Sequence, residues 1–341
     1  MATTKHIGWG IIGLGKQAAI LAQAITATKN ARLVAVYSAD AARARAFVGD
    51  TPQVLVTTSL DIFFAHSTLT TVVVASPNGL HADQAMAALR AGKHVLVEKP
   101  MTTSVTDARN LVRTAQKTQR ILNVGFHLRH KKVMQEARQL ILNGAIGTLR
   151  AADLQWSIGT PQQQALPPLP PHMRWREKTA QMGGGALMAR GVHLFDLWRF
   201  LTGVEVQAIT GIVQKKAGAE IRANALLEAG TAIVHISTSK ELPFSENAIV
   251  LRGSSGVLRI DGGLDPQAVP TLSFRNEKTS WVKRFAKQDP YRREIESIET
   301  QILGKKESVA ATGEDGLKTV LLTEAFYASV QKDGRVRVGT R

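Results

Sequence analysis

His6-Ile-Gly-Trp-Gly-Ile-Ile-Gly13-Leu-Gly15-Lys-Gln-Ala18 decides how the chain is read. The apolar run up to Gly13 predicts a strand, and the run from Ala18 to about Thr28 predicts a helix. Between them lies GxGxxA, filled by Gly13, Gly15 and Ala18. The first glycine permits a tight turn, the second lets a pyrophosphate approach the backbone, and the small third residue lets helix and strand pack closely. Free N–H groups at the start of the helix then face the phosphates. The expected cradle is Gly13, Leu14, Gly15, Lys16 and Gln17.

Working outward, Arg32-Leu-Val-Ala-Val-Tyr-Ser38 reads as the second strand. A site selective for NAD usually ends this strand in an acid that bonds the ribose 2′-hydroxyl. Here the position holds Ser38, with Arg43 five residues on. A small hydroxyl leaves room for a 2′-phosphate, and an arginine neutralises it. This pairing favours NADP(H). NAD(H) stays open, because Asp40 is close enough in sequence to point at a ribose. A β-branched strand, Thr71 to Ala75, leads into Ser76-Pro77-Asn78-Gly-Leu-His81 and a helix from Ala82 to Ala91. The strand from His94 ends in Glu98-Lys99-Pro100, a charged pair at the edge where open α/β sheets bind ligands. A helix over 105–118 and a strand over 121–125 follow.

Strands alternating with helices predict an α/β fold with a Rossmann-type, doubly wound parallel sheet over residues 1–124. From 125 to 341 the pattern changes to an α+β domain. A helix is expected over 128–142, then long alternating strands over 148–157, 204–213, 221–227, 231–239, 248–252 and 257–260. They form an open, mostly antiparallel sheet with one covered face. Between the first two lie a proline-rich loop, Trp175-Arg176, the triple glycine 183–185 and a helix carrying His193 and Asp196. Two late helices are expected over about 292–303 and 313–331.

The chain has no cysteine, which excludes disulfides, thiolate metal sites and cysteine nucleophiles. No metal site is expected. No apolar run approaches the ~20 residues of a membrane span. The N-terminus resembles no signal or transit peptide, so a cytoplasmic location is expected. The net charge of +16 is scattered and lacks the aromatic pattern of a nucleic-acid surface, so no specific nucleic-acid partner is expected.

These motifs occur in the order of the Gfo/Idh/MocA family: GxGxxA, Ser-Pro-Asn-x-x-His (76–81), Ala-Gly-Lys-His-Val-Leu-Val-Glu-Lys-Pro (91–100), Gly-Gly-Gly (183–185), His193-x-x-Asp196 and Gly-Glu-Asp-Gly (313–316). The chain resembles that family over essentially its whole length, nearest to its 1,5-anhydro-D-fructose reductase type. The resemblance implies an NAD(P)-dependent oxidoreductase exchanging a hydride with a sugar-like carbonyl or alcohol carbon. It also implies a homodimer or homotetramer built through the second sheet. It places Gly13 to Gln17, Ser38, Arg43, Ser76, Pro77, Asn78, His81, Glu98 and Lys99 on the cofactor. His127, Arg129, Trp175, Arg176, Asp196 and Tyr291 are placed on the substrate side; Arg190 joins them if it points into the pocket, where it would suit a carboxylate or phosphate, and is otherwise a surface charge. It also suggests a cis Lys99–Pro100 bond.

Hydride transfer to a carbonyl needs a positive group beside the developing alkoxide and a proton donor. Lys99 and His193 are the candidates. The family usually carries aspartate four residues before this histidine, and here the position is Ala189, followed by Arg190. Asp196 orienting His193, or Lys99 acting as the main acid, are both open. So are two other readings: a non-catalytic NAD(P)-binding regulator, and a redox-assisted glycosidase or lyase of the same family.

Overall fold

The computed structural model describes residues 6–49, 51, 53–159, 175, 182–216, 218–243, 245–266, 268–305 and 308–339. These divide into two compact units. One gathers residues 6–127, Trp175 and 289–320; the other gathers 128–159, 182–288 and 321–339.

In the first unit, β1 (Ile7–Ile12) is buried along its whole length and occupies the middle of a seven-stranded sheet. β2 (Ala31–Tyr37) and β3 (Leu55–Thr57) lie on one side of it. β4 (Leu69–Val74), β5 (His94–Glu98), β6 (Leu122–Gly125) and the short β15 (Ala311–Thr312) lie on the other. All neighbours run parallel except β15, which is antiparallel to β6. Alternate residues of β1 feed two cores. Trp9 and Ile11 meet the helices Lys16–Thr26 and Pro290–Ile302, while Ile12 joins the helices His81–Arg90 and Val105–Thr118. A strand buried on both faces needs this near-continuous apolar sequence. The chain leaves β1 towards β2 and returns at β4, so the strand order reverses between β1 and β4. That switch point is where such sheets leave a crevice at their carboxyl ends.

The second unit holds a nine-stranded sheet in the order β14-β13-β12-β11-β7-β10-β9-β8-β16. Its strands are β7 (Leu149–Ser157), β8 (Ala208–Lys216), β9 (Ala219–Ala229), β10 (Ala232–Ser239), β11 (Ala248–Gly253), β12 (Val257–Asp261), β13 (Thr271–Arg275), β14 (Ser280–Arg284) and β16 (Val336–Arg337). Among the described residues of this sheet, only β7 and β10 pair in parallel. Every residue of the helix Val192–Thr202 is buried. A helix apolar on nearly all sides belongs to a core.

Several elements differ from the sequence pattern. The 128–142 segment opens as a 3₁₀ turn, His127–His130, before the helix Lys132–Leu142 begins. The strand expected from 204 starts at Ala208. The short β3, β13, β14 and β16 and the helix Leu60–Ala65 carry too few alternating apolar residues to stand out.

Candidate active site

The glycine turn folds as the chemistry of its residues requires. Gly13 has φ +85°, and a Cβ there would lie 2.5 Å from the Ser76 backbone. That position closes the turn across the switch point, and only glycine fits it. Gly15 caps the helix Lys16–Thr26 with no side-chain hydrogen bond and no acid in the first turn. A Cβ on Gly15 would meet nothing within 4 Å. The helix therefore presents uncapped N–H groups to open space, as a pyrophosphate requires. Lys16 is exposed on that first turn, Gln17 is half-buried and Leu14 is buried.

At the end of β2, Ser38 is buried and its Oγ accepts from the Asp40 N–H at 3.1 Å. The Asp40 carboxylate accepts from the Arg43 N–H at 3.0 Å and so caps the helix Ala41–Val48. A loose ion pair at 4.0 Å joins it to the Arg43 guanidinium, whose side chain is 40% exposed. After β4, Ser76 and Asn78 are buried and Pro77 is half-buried. Buried His81 has Nδ1 2.8 Å from the Pro100 carbonyl and Nε2 2.9 Å from the Ser76 carbonyl. It ties the loops after β4 and β5 together, while burial pulls its pKa below the ordinary value.

β5 ends in buried Glu98 and half-buried Lys99, and the Lys99–Pro100 bond is cis. Burial pushes the Glu98 carboxyl up to about 7, against the opposing pull of the Lys99 charge, the Lys99 N–H and the Gln17 side chain. The Lys99 N–H donates to Glu98 Oε2 at 3.2 Å. Tyr291, on the helix Pro290–Ile302, is raised well above the usual phenol range by burial and by the Glu98 charge. Its ring stacks on His127 with centroids 4.4 Å apart, and its hydroxyl lies 3.5 Å from His127 Nε2. The first unit thus brings together Gln17, Glu98, Lys99, His127 and Tyr291. Trp175 is half-buried in the same unit, and Arg176 lies outside the described residues.

The second unit presents the other candidates. Buried His193 lies against Trp156 with ring centroids 5.4 Å apart, and the Arg190 guanidinium sits 5.8 Å from the same indole. Arg129 and Asp196 form a buried ion pair. Arg129 Nε donates to Oδ2 at 2.8 Å and Nη2 to Oδ1 at 2.6 Å, both residues being buried. Arg129 also covers the Phe200 ring at 5.1 Å. Half-buried Ala189 and Arg190 lie in a π-helical turn, Leu187–Gly191, directly before the helix of His193. Two contributors had no motif to announce them. Trp156 shares the covered face of β7 with Ala152 and Leu154, which the period-two alternation carries. Gly125 leaves space that a Cβ would take to within 3.0 Å of Glu98 Oε1.

Residues 7–126 match the model of an oxidoreductase family with an NAD-binding Rossmann fold, and residues 134–259 match the GFO/IDH/MocA C-terminal domain. The chain belongs to the GFO/IDH/MocA oxidoreductase family. It is 27% identical to the 1,5-anhydro-D-fructose reductase of Ensifer adhaerens over 91% of this chain and 92% of that protein. The inositol 2-dehydrogenase of Rhizobium meliloti is 26% identical over 97% of this chain and 99% of that protein. The aldose-aldose oxidoreductase structure from Caulobacter crescentus shares the fold, with a TM-score of 0.85 at 23% identity over 97% of this chain and 99% of that one. This GFO/IDH/MocA chain keeps the glycine turn and the Glu98-Lys99-Pro100 edge, and has alanine at 189.

Proposed function

We propose that the chain is an NADP(H)-dependent oxidoreductase that moves a hydride to or from a carbonyl or alcohol carbon of a sugar-like substrate. The carboxyl edge of β5 carries the reading: half-buried Lys99 beside buried Glu98, on a sheet whose glycine turn has room for a pyrophosphate. The names of the Ensifer and Rhizobium relatives support a polyhydroxylated substrate.

NADPH, when bound, supplies the hydride. Gly13 to Gln17 would hold its pyrophosphate through the uncapped helix start, and Ser38 with Arg43 would take the 2′-phosphate. The absence of an acid at position 38, and the engagement of Asp40 as a helix cap, support NADP(H) over NAD(H). Ser76 to His81 and Glu98 shape the wall of the cofactor site. Lys99 stabilises the negative charge that grows on the substrate oxygen, and His193 exchanges the proton. Ala189 puts no carboxylate against His193, so Lys99 bears more of the charge. His127, Trp175, Arg190 and Tyr291 are assigned to the substrate side, as is Arg176 by its place in the sequence. Arg129 and Asp196 act on it through the helix they clamp. Copies of the chain assemble through the open face of the nine-stranded sheet, where Ile212, Leu226 and Ile233 are exposed on one side, and light scattering measures this.

The test is NADPH oxidation against a panel of keto-sugars and anhydroketoses, repeated with NADH. Arg43→Ala should weaken NADPH by about 1.5–3 kcal/mol, the worth of a charge-assisted contact, and leave NADH unchanged. Equal loss for both cofactors counts against the 2′-phosphate role. Ala189 supports a second reading, a cofactor-binding regulator. That reading expects NADPH binding without turnover, and no activity gained by Ala189→Asp.

A further inference from the structure

The triple glycine 183–185 packs against two side chains that the proposed chemistry does not use. Gly184 has φ +154°, and a Cβ there would lie 2.0 Å from the Tyr327 hydroxyl. A Cβ on Gly185 would lie 2.3 Å from the Glu220 carbonyl oxygen. The glycines let the chain pass directly over Glu220 on β9 and Tyr327 on the helix Gly313–Lys332. Both Glu220 carboxylate oxygens are engaged there. Oε1 accepts from the Leu187 N–H at 2.7 Å, and Oε2 accepts from the Tyr327 hydroxyl at 2.9 Å. Glu220 is buried, so these bonds form where water competes poorly.

Leu187 is the first residue of the π-helical turn that carries Arg190 and leads into the helix of His193. A carboxylate on its N–H fixes where that turn begins, and the sign suits the positive end of a helix. The π-turn widens the helix by one residue, and such turns cluster at functional sites. Its start therefore sets the rotation of everything that follows. Trp156 meets both Arg190 and His193 on one indole, so a small rotation moves both groups relative to that ring.

We infer that Glu220 and Tyr327 are positioning residues that set the π-turn and thereby the placement of His193. The inference rests on the proposed role of His193 as the proton-exchanging group. Glu220→Ala removes the acceptor from Leu187 and should lower kcat by roughly 10²-fold, the usual loss from an ångström-scale misplacement. KM for NADPH should hold, because the proposed cofactor residues lie in the other unit. Glu220→Gln keeps an acceptor for Leu187 and a polar partner for Tyr327, so it should recover most of the loss. Tyr327→Phe should fall between the two.

The experiment measures kcat, its pH profile and thermal midpoint for these variants. Beside it runs NMR titration of the His193 ring in histidine-labelled protein, assigned with His193→Asn. The inference expects a shifted apparent pKa and shifted ring resonances for His193 in Glu220→Ala, restored in Glu220→Gln. A lower thermal midpoint with unchanged kcat, pH profile and His193 titration overturns it and leaves a structural tie only. If the unmodified protein turns over no substrate, the proposed activity fails, and the His193 titration still decides the positioning role.

Discussion

Glu98 and Glu299 are buried carboxyls, and burial pushes each up to about 7. The folded chain keeps each proton over a range where the unfolded chain, near 4.5, has lost it. The stability tied to these groups is full below the unfolded value, falls as pH climbs towards about 7, and is flat above. Lys131 works the other way. It donates to the Gly263 and Asp265 carbonyls at 2.7 and 3.2 Å, and burial lowers it from 10.5 to about 8. Stability linked to it rises with pH between those values. Glu299→Gln isolates one contribution outside the proposed cofactor and substrate residues. Its thermal midpoint should gain on the unmodified protein as pH rises from about 4.5 to 7. A difference that stays constant with pH contradicts a raised Glu299.

The two glycines of the turn separate fold from function at single positions. Gly13→Ala places a Cβ against the Ser76 backbone at positive φ, and should cost more than ~1 kcal/mol of stability. Gly15→Val adds bulk to open space beside the uncapped helix. It should leave the ligand-free thermal midpoint in place and weaken NADPH binding by about tenfold or more, which is ~1.4 kcal/mol. Calorimetry of both variants, with and without NADPH, measures the two effects. The glycine turn and the helix after it were legible because their motif encodes backbone geometry. The contacts of Glu220, Tyr327 and Trp156 were not, because a hydrogen bond or ring contact between distant segments leaves no local spacing.

At the scale of elements, the helix Val192–Thr202 carries a buried ion pair to Arg129. Asp196→Ala removes the carboxylate that accepts two hydrogen bonds from the buried Arg129 guanidinium and should cost about 3–5 kcal/mol. Replacing both, as Arg129→Met with Asp196→Leu, should recover most of that, since a well-packed apolar pair avoids desolvating two charges. Chemical denaturation of the single and double variants measures the difference. A double variant as unstable as the single one would show that the pair contributes more than it costs. From sequence, Asp196 was one candidate to orient His193, and the structure gives both of its oxygens to Arg129. A helical spacing shows which residues share a face, but not which distant arginine reaches that face. The parallel strands β1, β2, β4, β5 and β6 were legible because each is a continuous apolar run bounded by turn residues.

For the whole molecule, the order of motifs along the chain carried the fold class and the family, and both hold. What no local pattern announces is that the helix Pro290–Ile302 packs beside Lys16–Thr26, bringing Tyr291 to His127 and Glu98. Among the described residues, no helix is long and apolar enough to cross a membrane. The central claim is a hydride transfer that depends on Lys99. Its most direct test is NADPH consumption with a panel of keto-sugars and anhydroketoses, run on the unmodified protein and on Lys99→Ala, with NADPH affinity measured for both. The expected result is turnover on at least one substrate, a loss of roughly 10²–10³ or more in kcat on removing the lysine, and NADPH still bound. Tight NADPH binding without turnover on any substrate, or equal turnover in Lys99→Ala, would contradict it.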